Sequence, residues 1–172
     1  MPKELVDIAN TTHTWMGESI KIALYFSIPF WKEKGTSGTI FSNVGPIPEM
    51  YDHTNFEESK FALKGFLNGS YYSISKEERL ELILTQLEKY YSAQVRDYQG
   101  YEETVWRNEE FTSTAYKEHV LPHQNNGHAM YKTGLLENRL YLSGTETDPH
   151  FGGYMEGAIR SAKYVLNELT KV

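Results

Sequence analysis

Hydrophobic and polar positions alternate along "SIKIALYF", residues 19–26, so that Ile20, Ile22, Leu24 and Phe26 share one face and Ser19, Lys21, Ala23 and Tyr25 the other. That period predicts a half-buried strand with Lys21 on its less apolar side. "GTIFSN", "MYDHT" and "FALKGFLN" follow between glycine, proline and asparagine punctuation and predict an antiparallel set. The period then lengthens. Ser75 followed by Glu78 makes a capping-box pattern, and Leu80, Ile83, Leu84, Leu87 and Tyr91 recur at helical spacing. "GYEETVWR" returns to a strand pattern, "TSTAYKEHVLPHQNNGHAMYKTG" reads as a long loop, and "NRLYLSG" predicts a final strand. A closing helix carries Met155, Ala158, Ile159, Ala162, Val165, Leu166 and Leu169 on one side. The expected fold class is α+β, a mixed, largely antiparallel sheet with flanking helices.

Composition narrows this picture. A chain of 172 residues, 40% hydrophobic, can bury one core, so residues 1–172 are expected to form a single domain. Its 17 basic and 23 acidic residues give a net charge of -6, and no Lys/Arg cluster offers a footprint for nucleic acid. With no cysteine there is no disulfide, no thiolate metal site, no Cys nucleophile and no thioether to a cofactor. The opening "MPKELVDIANTTHTW" lacks the basic-then-apolar order of a secretion signal. The longest apolar stretch, "IALYFSIPF", is too short to span a bilayer. Together they predict a cytoplasmic protein with no membrane partner.

Candidate chemistry lies in two places. His119, His123 and His128 cluster in the long loop, but Pro122 breaks the helix that an i, i+4 ligand pair needs, and no acidic third ligand is suitably spaced. No metal site is therefore expected. No G-x-S-x-G elbow supports a hydrolase. The second place is "LYLSGTETDPHFGGYMEGA", where Gly152, Gly153 and Gly157 surround a helix start. Such a start lets a planar or anionic group approach backbone N–H groups, where the helix dipole favours negative charge. The glycine pattern alone favours a tight strand-to-helix turn over a ligand site.

The ordered string from Leu140 to Ala158 closely resembles the C-terminal flavin-binding segment of the flavin-containing amine oxidases, which include monoamine and polyamine oxidases. The resemblance runs upstream through nearly the whole chain. "MGESIKIALYFSIPFWKEKG" is similar to the family strand that carries an active-site lysine, and "VWRNEEFTSTAY" to the segment that brings a tryptophan and a tyrosine to the flavin. The resemblance implies that Lys21 holds a water against flavin N5. It also implies that Tyr116 and Tyr154 flank the substrate nitrogen, and that Trp106, Gly144, Thr145, Glu146, Gly153, Tyr154 and Met155 contact FAD. Aromatic rings on two sides suit an amine site from which water is excluded. Where monoamine oxidases carry a cysteine bonded to the flavin, this chain has Ala115, which implies non-covalent FAD.

The resemblance also marks what is missing. No G-x-G-x-x-G occurs, so the dinucleotide-binding half of such enzymes is not represented. Residues about 1–138 resemble the substrate-binding region and about 139–172 the flavin-contacting segment. The expectation is the C-terminal part of an FAD-dependent amine oxidase, whether an excised domain, a truncated product or a split-enzyme subunit. The intact enzyme would oxidise an amine C–N bond to an imine with oxygen. The chain alone is expected to be inactive, to hold no FAD and to self-associate through its orphaned surface. The alternative is a non-catalytic α+β interaction module.

Overall fold

The computed structural model describes residues 1–33, 35–110 and 120–171. In chain order the regular elements are α1 (Lys3–Asn10), β1 (Ser19–Phe26), α2 (Phe30–Glu33), β2 (Ile40–Phe41), β3 (Glu49–Asp52), β4 (Phe61–Asn68), α3 (Lys76–Glu88), β5 (Gly100–Val105) and α4 (Met155–Leu169). Contacts divide them between two compact units, residues 16–110 and residues 1–15 with the described residues beyond 110.

Residues 16–110 hold one five-stranded sheet in the order β2-β3-β4-β1-β5, with every neighbouring pair antiparallel. The architecture is α+β, as the alternating patterns predict. Ile20, Ile22, Leu24 and Phe26 of β1 are buried together with Leu63 and Leu67 of β4 and Ile83, Leu84 and Leu87 of α3. The helix starts where the capping box places it: the Ser75 hydroxyl accepts the Glu78 N–H at 3.1 Å, and the Glu78 carboxylate accepts the Ser75 N–H at 3.0 Å. Two polar side chains fix α3 on the sheet. Gln86 donates to the carbonyls of Val44 at 2.9 Å and Ile47 at 2.8 Å and accepts the Ile47 N–H at 2.7 Å. Arg79 forks onto Glu103 of β5. The other sheet face carries Lys21, Ala23 and Tyr25 of β1, with Lys64 of β4 and Glu102 of β5 both in register with Ala23.

The remaining unit has a small core, in which Leu5 of α1 packs with Tyr131 and Leu135, flanked by Ile8, Met130 and Leu142. One expectation changes here. "NRLYLSG" does not form a strand: among the described residues only Leu140 is bridged, to Leu135. A ladder needs a partner backbone, and this unit offers no further strand among the described residues. The apolar side of α4 is largely exposed, Met155 by 85%, Ile159 by 52%, Leu166 by 60% and Leu169 by 55%, in line with the orphaned surface the resemblance implies. The helix buries its small side, Gly157 and Ser161, because that face sits against the chain's own loop from Ser143 to Gly153. No described helix is long and apolar enough to cross a membrane.

Candidate functional site

The loop leading into α4 is built by two residues that no motif singles out. Ser161 Oγ accepts the Gly144 N–H at 3.1 Å and lies 3.0 Å from Ser143 Oγ and 2.6 Å from Thr147 Oγ1, so one helical hydroxyl gathers the backbone of residues 143–147. Asp148 is buried and accepts the N–H groups of His150 at 2.9 Å and Phe151 at 2.7 Å, while Arg160 reaches its second oxygen at 3.1 Å. Burial pushes the Asp148 carboxyl up. The Phe151 and His150 N–H groups and Arg160 outweigh that and hold it below the usual carboxylate range.

This turn explains two of the three glycines. A Cβ on Gly157 would lie 2.2 Å from the Phe151 carbonyl oxygen, and one on Gly152 would lie 2.5 Å from Asn126 Cβ. Both are required by the chain's own packing. The third, Gly153, has φ +83°, donates its N–H to the Thr145 carbonyl at 3.2 Å and ties the Gly144–Glu146 strip to the start of α4. There Tyr154 is the N-cap with no side-chain capping bond, and the first helical bond runs from the Ala158 N–H to the Tyr154 carbonyl at 3.3 Å. The N–H groups of Met155, Glu156 and Gly157 therefore have no partner within the helix. Tyr154 is 60% exposed and stacks on His123 with ring centroids 6.1 Å apart. Among the described residues the Glu146 carboxylate makes no hydrogen bond or salt bridge.

A second feature lies within residues 16–110. Lys21, Tyr25, Lys64, Glu102 and Trp106 line an open cavity of about 300 Å³ on the sheet face opposite α3. Strand alternation puts them there: Ala23 of β1 stands between Lys64 and Glu102, and Lys21 stands between Phe66 and Thr104. Glu102 accepts the Tyr25 hydroxyl at 2.9 Å, which raises the Tyr25 phenol above its ordinary value. The Trp106 Nε1–H is buried with no acceptor among the described residues. No motif marks Lys64; its signal is the parity with Phe66 in "FALKGFLN", which needs the β1 to β4 register before it points into the cavity.

The structure thus places Lys21 and Trp106 in one cavity, and Gly144, Thr145, Glu146, Gly153, Tyr154 and Met155 around one helix start. Tyr116, Ala115 and His119 lie outside the described residues. The family described as flavin containing amine oxidoreductase matches residues 5–167. The chain belongs to this family. A probable flavin-containing monoamine oxidase A of Dictyostelium discoideum is 30% identical over 161 residues, which are 90% of this chain and 34% of that protein. The flavin-containing amine oxidase B of Cavia porcellus is 30% identical over 168 residues, 91% of this chain and 32% of that protein. The chain spans about a third of the length of the curated relatives it matches. Solved structures share the fold: wild-type putrescine oxidase bound to putrescine superimposes with a TM-score of 0.79 at 24% identity, over 98% of this chain and 37% of that one. Cyclohexylamine oxidase from Brevibacterium oxydans IH-35A gives 0.72 at 24% identity, over 90% of this chain and 36% of that one.

The helix start of this family member fits an anionic or electron-rich edge such as a flavin presents. Its donors are the uncapped N–H groups of α4 with the positive end of the helix dipole behind them. A Cβ on Gly144 would meet nothing nearer than Glu146 Oε2 at 3.7 Å, so the strip beside those donors is open. Among the described residues no group of three His, Cys, Asp or Glu side chains could hold a metal ion. His123 instead stacks on Tyr154, and His128 caps a turn by accepting the Met130 N–H at 3.3 Å.

Proposed function

We propose that this chain is the substrate-facing and flavin-contacting part of an FAD-dependent amine oxidase that converts an amine to an imine with oxygen as acceptor. The uncapped, exposed start of α4 beside the free Glu146 carboxylate is the observation that carries this reading, in a chain of this family. Gly144, Thr145, Glu146, Gly153, Tyr154 and Met155 would hold FAD without a covalent bond, with Trp106 as a further contact. Bound FAD supplies a two-electron acceptor. Tyr154 and Tyr116 orient the amine between aromatic faces and exclude water, and Lys21 holds a water and a positive charge at the site. The substrate carbon gives up a hydride and its nitrogen a proton, and oxygen takes both as hydrogen peroxide. The amines named for the related proteins, monoamines, putrescine and cyclohexylamine, support an amine as the substrate.

The 172-residue chain is proposed to form one domain and to need polypeptide equivalent to the family's remaining length before it binds FAD firmly or turns over. The exposed apolar stripe of α4 favours this need for a partner. Anaerobic addition of an amine to the chain assembled with a dinucleotide-binding half of the family tests the reading. Loss of the visible flavin absorbance is expected. A flavin-loaded assembly that no primary or secondary amine bleaches would overturn it.

A further inference from the structure

We infer that Lys64 makes the sheet-face cavity select an amine substrate that also carries an anionic group. The inference rests on the amine oxidase reading and names its substrate class. Lys64 is half-buried, and its ammonium stands over the rings of Tyr51 at 5.7 Å and Phe66 at 6.0 Å. It makes no salt bridge among the described residues, whereas Lys32 in the same unit is held by Glu58 at 2.9 Å and Asp52 at 3.6 Å. Across β1, Lys64 faces Ala23, a methyl group that leaves the space above it open. Lys21 lies on the same face, one diagonal step away, about 7–8 Å between Cα atoms. Glu102, about 10 Å from Lys64 across β1, already accepts the Tyr25 hydroxyl.

The cavity therefore has a surplus of donors. Among the described residues no acceptor takes up the hydrogen bonds that Lys21, Lys64 and the buried Trp106 N–H offer. A half-buried ammonium between aromatic rings loses hydration, and an anion from the substrate restores the interaction. A second ammonium, as in a diamine, would instead meet Lys64 as a like charge. The substrate is accordingly an amine with a carboxylate or phosphonate-like group placed for Lys64.

The test uses the assembled protein, with γ-aminobutyrate, aminopropylphosphonate, butylamine and putrescine as probes. Calorimetric binding and amine-driven flavin bleaching are read for the parent and for Lys64→Met, Lys64→Glu and Lys64→Arg. The parent should bind at least one of the two anionic amines about tenfold or more tighter than butylamine, and putrescine more weakly than butylamine. Which anionic probe wins separates carboxylate from phosphorus oxyanion. Lys64→Met should abolish the preference, Lys64→Glu should invert it towards putrescine, and Lys64→Arg should keep it. A preference unchanged in Lys64→Met, or a parent that favours putrescine, overturns the inference. Oxidation of amines without any Lys64-dependent preference removes this inference alone. Lys64-dependent anion binding with no bleaching by any amine removes the oxidase reading and leaves the inference standing.

Discussion

Arg79→Met should destabilise the sheet unit by about 3–5 kcal/mol, the usual cost of removing one partner from a buried ion pair. Side chains of Arg79 and Glu103 are 7% and 6% exposed, and the guanidinium donates to both carboxylate oxygens, with Nε to Oε2 at 3.0 Å. Arg79 also donates to the carbonyls of Tyr71 at 3.1 Å, Tyr72 at 3.4 Å and Ile74, closing the turn before α3. Methionine fills the volume but leaves Glu103 with the Tyr101 hydroxyl, at 2.6 Å, as its side-chain hydrogen-bond donor among the described residues. With a urea slope of about 2 kcal/mol per molar, the midpoint should fall by about 1.5–2.5 M, read by far-ultraviolet circular dichroism. The pH dependence adds a second check. Burial raises the Glu103 carboxyl, but hydrogen bonds from Arg79 and Tyr101 outweigh it, so its folded value lies below the ordinary one. The pair's contribution is thus complete above the ordinary carboxylate range and is lost as pH falls through the folded value. The gap between parent and variant should narrow on acidification, because the stranded Glu103 can protonate. Replacing both residues with apolar ones should regain most of the loss. A single variant within about 1 kcal/mol of the parent at neutral pH, the range of a surface pair, would refute the reasoning.

The isolated chain should emerge colourless from gel filtration after incubation with FAD, and the assembled protein should release all its flavin on acid denaturation, since Ala115 has no nucleophile. Equimolar yellow colour in the first case, or flavin retained on this chain in the second, would contradict the proposed contacts. Lys21→Met should slow the oxygen half-reaction in stopped-flow far more than the amine half-reaction, because a nearby cation stabilises charge developing on oxygen. Unchanged oxygen rates would make Lys21 a solvated strand lysine. Light scattering of the isolated chain should show a dimer or larger species burying Phe151, Tyr154 and the α4 stripe, and a monodisperse monomer at high concentration would count against this.

Elements with a strong local period were legible. The alternation of β1 and β4 and the Ser75/Glu78 box of α3 depend on neighbours in sequence, and the structure repeats them with the same bounds or nearly so. Where the outcome depends on distant chain, the pattern misled. "NRLYLSG" has strand residues, but among the described residues only Leu135 pairs with it. Gly152 and Gly157 fit either a ligand's approach or a tight turn, and it takes Asn126 and the Phe151 carbonyl, which fill the room beside them, to decide for the turn. Arg79 with Glu103, 24 residues apart, and Lys64 beside Ala23 become visible only through strand register. Ser161 and Asp148 shape the loop before α4 by hydrogen bonds that no spacing rule announces.

Hydrogen exchange on the assembled protein, measured with and without FAD, tests the central claim most directly. FAD should slow exchange at the backbone amides of residues 144–146 and 153–157, which combine the open glycine strip with the uncapped N–H groups of α4. Stoichiometric FAD with exchange at those amides unchanged would contradict the assignment of this helix start as the flavin contact.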